Sequence, residues 1–262
     1  VAVRAAPRRI ECSHATDLYF CERRELAWDV SDRERGNADS GLNLERNKQQ
    51  GTLGRLMLKR EDRVATLLQD TGVTGGGIDS GHTAAAAVKW DALTTDYQDV
   101  LTDVVLGITK LRQAIGIRPN VIVIPAAVAE GLHKSQFFQG AGGAPQAMYS
   151  GAPAAEPLFT QYPLLPGTLW GMRVLVPGSI KNTANEGATE SYSDVWGETV
   201  RLLYVTAGPA LEIPSVAYTF QSEARTTRQW RDEERRVAAF AVGFPIDEAV
   251  VAPKAGYTIT NC

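Results

Sequence analysis

Only three histidines, His14, His82 and His133, are available for metal or acid–base chemistry. None stands at ligand spacing from another His, a Cys or a carboxylate cluster, and neither HExxH nor CxxC occurs. The nearest approach to a hydrolase constellation is Asp79, Ser80 and His82, inside the Gly-rich stretch TGVTGGGIDSGH from Thr71 to His82. A triad needs a nucleophile, its base and an orienting acid brought together in space, usually from separated segments. Three near-neighbours in one loop do not supply that, and GxSxG is absent. The same glycines invite a phosphate cradle, but no GK[ST] follows and the preceding element reads as a helix. Plain loop is the reading. No catalytic, cofactor or metal residue is assigned, and a soluble enzyme using these loops is the most distant alternative.

Cysteine and charge narrow the classes further. Cys12, Cys21 and Cys262 are an odd set, which suits a reducing cytoplasm better than a disulfide-framed secreted domain. Cys262 reads as an unpaired thiol, with an intersubunit disulfide as the alternative. Against 27 Lys and Arg stand 30 Asp and Glu, a net charge of −3, so no strong field calls for nucleic acid or an anionic membrane. No apolar run reaches the roughly 18–20 residues of a membrane span, and Val1 to Ile10 lacks a signal-peptide core. Arg4, Arg8 and Arg9 make the start of the chain basic. A solvated terminus is the first reading and a nucleic-acid contact the second. The run RDEERR, Arg231 to Arg236, alternates in sign. It reads equally as a solvated face or as an intersubunit salt-bridge patch that includes Arg231, Glu234 and Arg235.

The elements that would position these groups follow from periodicity. Asp17 to Val30 (DLYFCERRELAWDV) places Tyr19, Phe20, Trp28 and Val30 around a charged centre and reads as a long hairpin or extended loop. Leu42 to Asp70 carries apolar residues at spacings of three and four, a helix about 40 Å long, with Gly51 and Gly54 as a bend or close crossing. Leu93 to Ile115 is a second helix; Thr95 to Gln98 resembles its capping box and Gly116 its C-terminal cap. Asn120 to Ile124 reads as a buried strand and Ala126 to Phe138 as a third helix. Gly140 to Pro166 is a long surface connection. Strands are then expected over Trp170–Val176, Thr199–Thr206, Ser215–Gln221, both sides of Trp230, Val237–Phe244 and Tyr257–Thr260. Trp170, Trp196, Trp230, Phe240 and Phe244 are expected in the core. Asp194, Trp196 and Gly197 read as a structural anchor: an Asx-type cap, a buried ring and a glycine tolerating positive φ.

Four pieces in order carry a family likeness: RPNVIVIPAAVAEGL (Arg118 to Leu132), NTANEGA (Asn182 to Ala188), SDVWG (Ser193 to Gly197) and VVAPKAGYTITN (Val250 to Asn261). With them the chain resembles the major capsid proteins of tailed bacteriophages, whose shell fold is the Hong Kong 97 type. The resemblance implies an α+β fold: an N-terminal arm (1–15), an extended β-hairpin loop (16–32), a peripheral domain over 33–94 with a long spine helix at 42–70, an α/β apical domain over 95–187, and a return to the β-rich peripheral domain over 188–262.

It also implies function spread over surfaces: self-assembly into hexamers and pentamers of an icosahedral shell around packaged DNA, which is held by non-specific contact. Further implied partners are portal, scaffold and decoration proteins, and no membrane. The implied location is the virion capsid, assembled in the host bacterial cytoplasm. Contacts are expected from Arg4, Arg8 and Arg9 of the arm and from Tyr19, Phe20, Arg23, Arg24 and Trp28 of the loop. Capsid precursors of this kind are commonly trimmed, so a processed end at Val1 is an expectation. No motif carries over the Lys–Asn crosslink of some members. An encapsulin, a cellular compartment of the same fold, is the second reading.

Overall fold

The structure is a computed structural model that describes residues 18–38, 43–69, 77–90, 97–134, 165–209 and 213–262, together with 92, 94 and 95. The Arg4, Arg8 and Arg9 arm, Cys12, His14, most of the Gly-rich stretch and the connection after the third helix lie outside the described residues, as does the His133 side chain.

One long helix links two β systems. Helix α2, Leu44–Gln69, has 26 residues and so runs about 39 Å. Around its first half lies a ribbon made of β1 (Glu22–Ser31), β11 (Val237–Val250) and β10 (Thr226–Asp232), in the order β1-β11-β10, with β9 (Ala217–Gln221) pairing the far end of β11. Leu56 packs there against Val242, Phe244 and Ile246, with Leu26, Trp28 and Met57 around them. A short helix α1, Asp32–Asn37, follows β1 and is closed by a reciprocal capping box between Ser31 and Glu34.

The second half of α2 lies on a six-stranded sheet. Its order is β2 (Thr83–Ala85), β12 (Gly256–Thr260), β8 (Val200–Leu203), β3 (Val121–Val123), β5 (Met172–Leu175) and β4 (Thr168–Leu169). Helices α3 (Tyr97–Ile115) and α4 (Ala126–Lys134) supply Val100, Val104, Leu111, Val128, Ala129 and Leu132 to the core that includes Ile122, Leu202, Tyr257 and Ile259. Ala65 and Leu68 of α2 join Val123, Leu203, Trp196 and Ile78 in a second core, carried by the opposite side of those alternating strands. With both faces covered, the central β3 (VIV) reads as a continuous apolar run. At Gly107 of α3 an added Cβ would stand 2.5 Å from Leu202 and 2.7 Å from Tyr257, so helix and sheet can meet only over a glycine. A small pair, β6 (Ile180–Asn182) and β7 (Tyr192–Asp194), lies beyond β5.

Several local expectations change. Asp17 to Val30 does not fold back as a hairpin of its own; β1 is one strand, antiparallel to β11 along its length. Alternation marks a strand but cannot name its partner, and no turn residues interrupt this stretch. The ribbon's tight turn lies instead at 233–236, between Asp232 and its partner Val237. The run expected over Trp170–Val176 holds β5 at Met172–Leu175, while Trp170 and Gly171, both at positive φ, form the two-residue type I′ turn that joins it to β4. Thr95 is buried and its hydroxyl donates to the Lys89 carbonyl. Gly116 does close α3, at φ +74°, its N–H donating to Arg112 O. Gly51 and Gly54 meet nothing within 4 Å, so no chain crosses there within the described residues. Strands β8 and β12, from the 188–262 range, share a sheet with β3 and β5.

Candidate intersubunit surface

The ribbon has two unlike faces because its side chains alternate. Arg24, Leu26, Trp28 and Val30 of β1 stand opposite Phe244, Val242, Phe240 and Ala238 of β11, and this side meets α2. Trp28 stacks on Phe240 with centroids 5.4 Å apart. On the other side the central strand carries Ala239, Ala241 and Gly243. A Cβ on Gly243 would lie 2.6 Å from the Arg24 carbonyl, so the backbones touch there. Longer side chains of the flanking strands rise on either side of this low row. Glu25 of β1 takes Arg228 of β10 at 2.8 Å, and Arg23 bonds both Glu25 and Thr226. Arg228 lies 5.8 Å from the Trp230 ring centroid.

Trp230 is 45% exposed, so it is a surface ring and not the core residue expected of it. The pattern of β10, TTRQWRD, shows why: with no second layer of described residues over this face, polar and aromatic residues both stay exposed. By contrast, Phe240 and Phe244 are buried, and Trp170 is partly buried against the sheet core.

At the ribbon's tip the charged run becomes a turn. Asp232 Oδ1 accepts the Arg235 N–H, and Arg236 takes φ +53°. Arg231 makes a fork to Asp32, Nη1–Oδ1 3.1 Å and Nη2–Oδ2 2.8 Å, and also holds Glu233 at 2.7 Å. That bond holds the Asp32 carboxyl below its ordinary range. The Ser31 N–H, then Lys48, does the same for Glu34, and Arg228 for Glu25. Lys48 further reaches the Asp29 carbonyl, and Arg35 pairs Glu45. Glu234 and Arg235 project from the turn into solvent.

At the opposite end, Leu18 and Phe20 are 98% and 81% exposed, while Tyr19 stacks on Phe220 at 4.2 Å. The expected contact residues therefore fall in two places: Tyr19 and Phe20 at one end, Arg231, Glu234 and Arg235 at the other. Arg23, Arg24 and Trp28 lie along β1 between them, with Arg24 and Trp28 turned toward α2.

The anchor residues sit where α2 meets β6 and β7. Trp196 is buried and its Nε1–H donates to Glu61 at 2.8 Å; Ser179 donates to the other Glu61 oxygen at 2.6 Å. Lys181 pairs Asp62 at 2.7 Å, and Gln69 donates to the Trp196 carbonyl. Gly197 has φ +61°, in the left-handed region. Asp194 is exposed at the end of β7, paired with Ile180. Glu61 went unread in the sequence; on the polar side of a long helix, one carboxylate resembles any other.

His82 is buried with Nδ1 3.1 Å from the Gly256 carbonyl, while Asp79 accepts the Gly81 N–H. Cys262 is buried in the sheet core, where burial pushes its thiol up to about 12. Among the described residues no three His, Cys, Asp or Glu side chains cluster as metal ligands, and no helix is long and apolar enough to cross a membrane.

A spine helix joins a two-sided sheet to the ribbon, and solved structures share this arrangement over almost the whole chain. It is the α+β Hong Kong 97-type fold of tailed-phage major capsid proteins. A phage-related protein from Bordetella bronchiseptica is 20% identical, with a TM-score of 0.65 over 92% of this chain and 75% of that one. The mature capsid of bacteriophage PhiM1 matches over 100% of this chain and 80% of its own, at 11% identity and a TM-score of 0.53. The encapsulin complex of Synechococcus elongatus matches over 92% and 73%, at 12% identity and a TM-score of 0.52. No family model matches the sequence, and no curated protein matches it.

Proposed function

We propose that the chain is a major capsid protein that assembles into hexamers and pentamers of an icosahedral shell around packaged phage DNA. The observation that carries this reading is the match to a mature capsid over the full length of the chain. The ribbon supports it, since among the described residues one of its faces has no covering layer. Closed shells need unlike surfaces joined head to tail by symmetry. The two ends of the ribbon offer such unlike surfaces, apolar at Leu18–Phe20 and charged at Arg231–Arg235.

In this reading Tyr19, Phe20, Arg23, Arg24, Trp28, Arg231, Glu234 and Arg235 contact neighbouring subunits, as do Arg4, Arg8 and Arg9. Portal, scaffold and decoration proteins are further partners, DNA is held non-specifically, and assembly takes place in the host cytoplasm. The domains are those given above, and no catalysis is assigned. The encapsulin likeness favours one second reading, a cellular compartment enclosing protein cargo.

Light scattering and negative-stain microscopy of the purified native protein test both. Closed particles tens of nanometres across are expected, and DNA or protein inside separates the two readings. A monomer or dimer that never assembles, even with scaffold, overturns them.

A further inference from the structure

Arg201 of β8 is fully buried, yet its Nε and Nη2 make no hydrogen bond. Nη1 has only the Thr199 carbonyl, at 3.5 Å, and the guanidinium lies 5.2 Å from the Trp196 ring centroid. The sheet register puts Thr258 directly opposite Arg201, and Thr83 directly opposite Thr258. Opposed residues point to the same face, about 5 Å apart. Both threonine Oγ1 atoms are also buried without a partner. Four unpartnered polar atoms thus belong to three residues aligned in one row across β2, β12 and β8, in a region where an unmade hydrogen bond is costly.

The described neighbours do not supply the missing negative charge. Glu198 is 61% exposed and pairs Lys89 at 3.4 Å, while Glu61 is committed to Ser179 and Trp196. Cys262 keeps its proton, being pushed up to about 12. Burial lowers Arg201 only to about 10, so it remains a cation at neutral pH. A buried cation persists only when compensated.

The structure assigns to Arg201, Thr258 and Thr83 an internal site for a small monoatomic anion of the halide class. The guanidinium supplies charge and two N–H donors, and each hydroxyl turns its hydrogen toward the ion. Close packing favours a halide over a larger oxyanion. Ile78 lies so near Gly256 that an added Cβ would stand 2.9 Å from it, which leaves no room to spread the layers on this face.

The test is thermal unfolding of the full chain at fixed ionic strength, with bromide replacing methanesulfonate. Above saturation Tm should rise by roughly 3 °C for each tenfold increase in bromide. An anomalous bromide peak should appear beside Arg201 in crystals. Thr258→Val keeps the shape and should move the bromide dependence about tenfold higher in concentration, the loss of one hydrogen bond to an ion. Arg201→Met should abolish it. If that variant does not fold, Thr258→Val and the bromide map still decide. Equal Tm in the two salts with no bromide peak overturns the site. So does Asp70→Asn matching Arg201→Met in lost Tm without any bromide effect, since Asp70, which follows Gln69 and lies outside the described residues, would then be the counter-charge.

Discussion

In the six-stranded sheet, β8 (VRLL) is buried at every position because α3 and α4 cover one face and the end of α2 covers the other. In the ribbon, β10 (TTRQWRD) is exposed at all but its last residue, and the small row of β11 beside it is flanked by long side chains from its neighbours. Both regions are β-structure built on the same helix. The difference is how many layers the chain itself provides. Where it provides both, residues serve the fold. Where the described residues provide one, the second face is open to another surface, and in the proposed shell reading stability and assembly become separable properties.

The sharpest way to break that distinction is to truncate one residue in each region. Leu111 of α3 is fully buried, so Leu111→Ala should cost about 2–5 kcal/mol in urea unfolding of dispersed subunits. Trp230→Ser on the ribbon should change the same quantity by about 0.5 kcal/mol or less. The same ribbon variant should reduce particle yield in an assembly reaction. Comparable losses of subunit stability at the two positions would erase the contrast.

Acid should separate the regions next. Glu25, Asp32 and Glu34, all in or beside the ribbon, have lowered folded-state pKa values, chiefly from Arg228, Arg231 and the Ser31 N–H. A carboxyl lowered on folding stabilises the fold fully above its unfolded value, near pH 4, and that contribution is lost as pH falls through the lower folded value. The sheet's shifted groups are of another kind: Arg201 is lowered to about 10 and Cys262 raised to about 12, both far from acid. Hydrogen exchange, corrected for intrinsic rates, should therefore show β10 and the 233–236 turn losing protection below about pH 4 while β8 and β12 keep theirs. Simultaneous loss in both would mean that the ribbon is not an independent cooperative unit.

These regions also differ in how far they could be read from the residues. The helices, β3, β8 and β12 announce themselves by period, by Pro119 and Pro125 flanking the NVIVI run, and by Gly116 at the end of α3. Order and spacing of short motifs pointed to the shell fold. The ribbon was legible only as strands. Partners of β1 lie more than two hundred positions along the chain, and nothing local in DLYFCERRELAWDV encodes β11. Trp230 was misjudged for the same reason: whether an aromatic on a strand is buried depends on a second layer that sequence alternation does not reveal. Arg201 was invisible because a lone arginine in VRLL gives no hint that both sheet faces are covered. Glu61 was hidden among the charges of a long helix. In each case the missing information was tertiary.

The smallest effect bears on α2, which spans both regions. Gly51 and Gly54 are exposed, lie inside the helix and would meet nothing within 4 Å if given a Cβ. Each therefore carries the conformational entropy cost of glycine with no packing return inside the subunit. Gly51→Ala and Gly54→Ala should each stabilise the dispersed subunit by about 0.5–1 kcal/mol, read as a higher urea midpoint with an unchanged slope. Particle yield adds the second coordinate. If the doubly substituted chain is more stable yet assembles poorly, a neighbouring backbone crosses α2 at these glycines, and the half-covered surface extends from the ribbon onto the helix. If it assembles as well as before, the open surface ends at the ribbon, and these two glycines serve neither the fold nor its contacts.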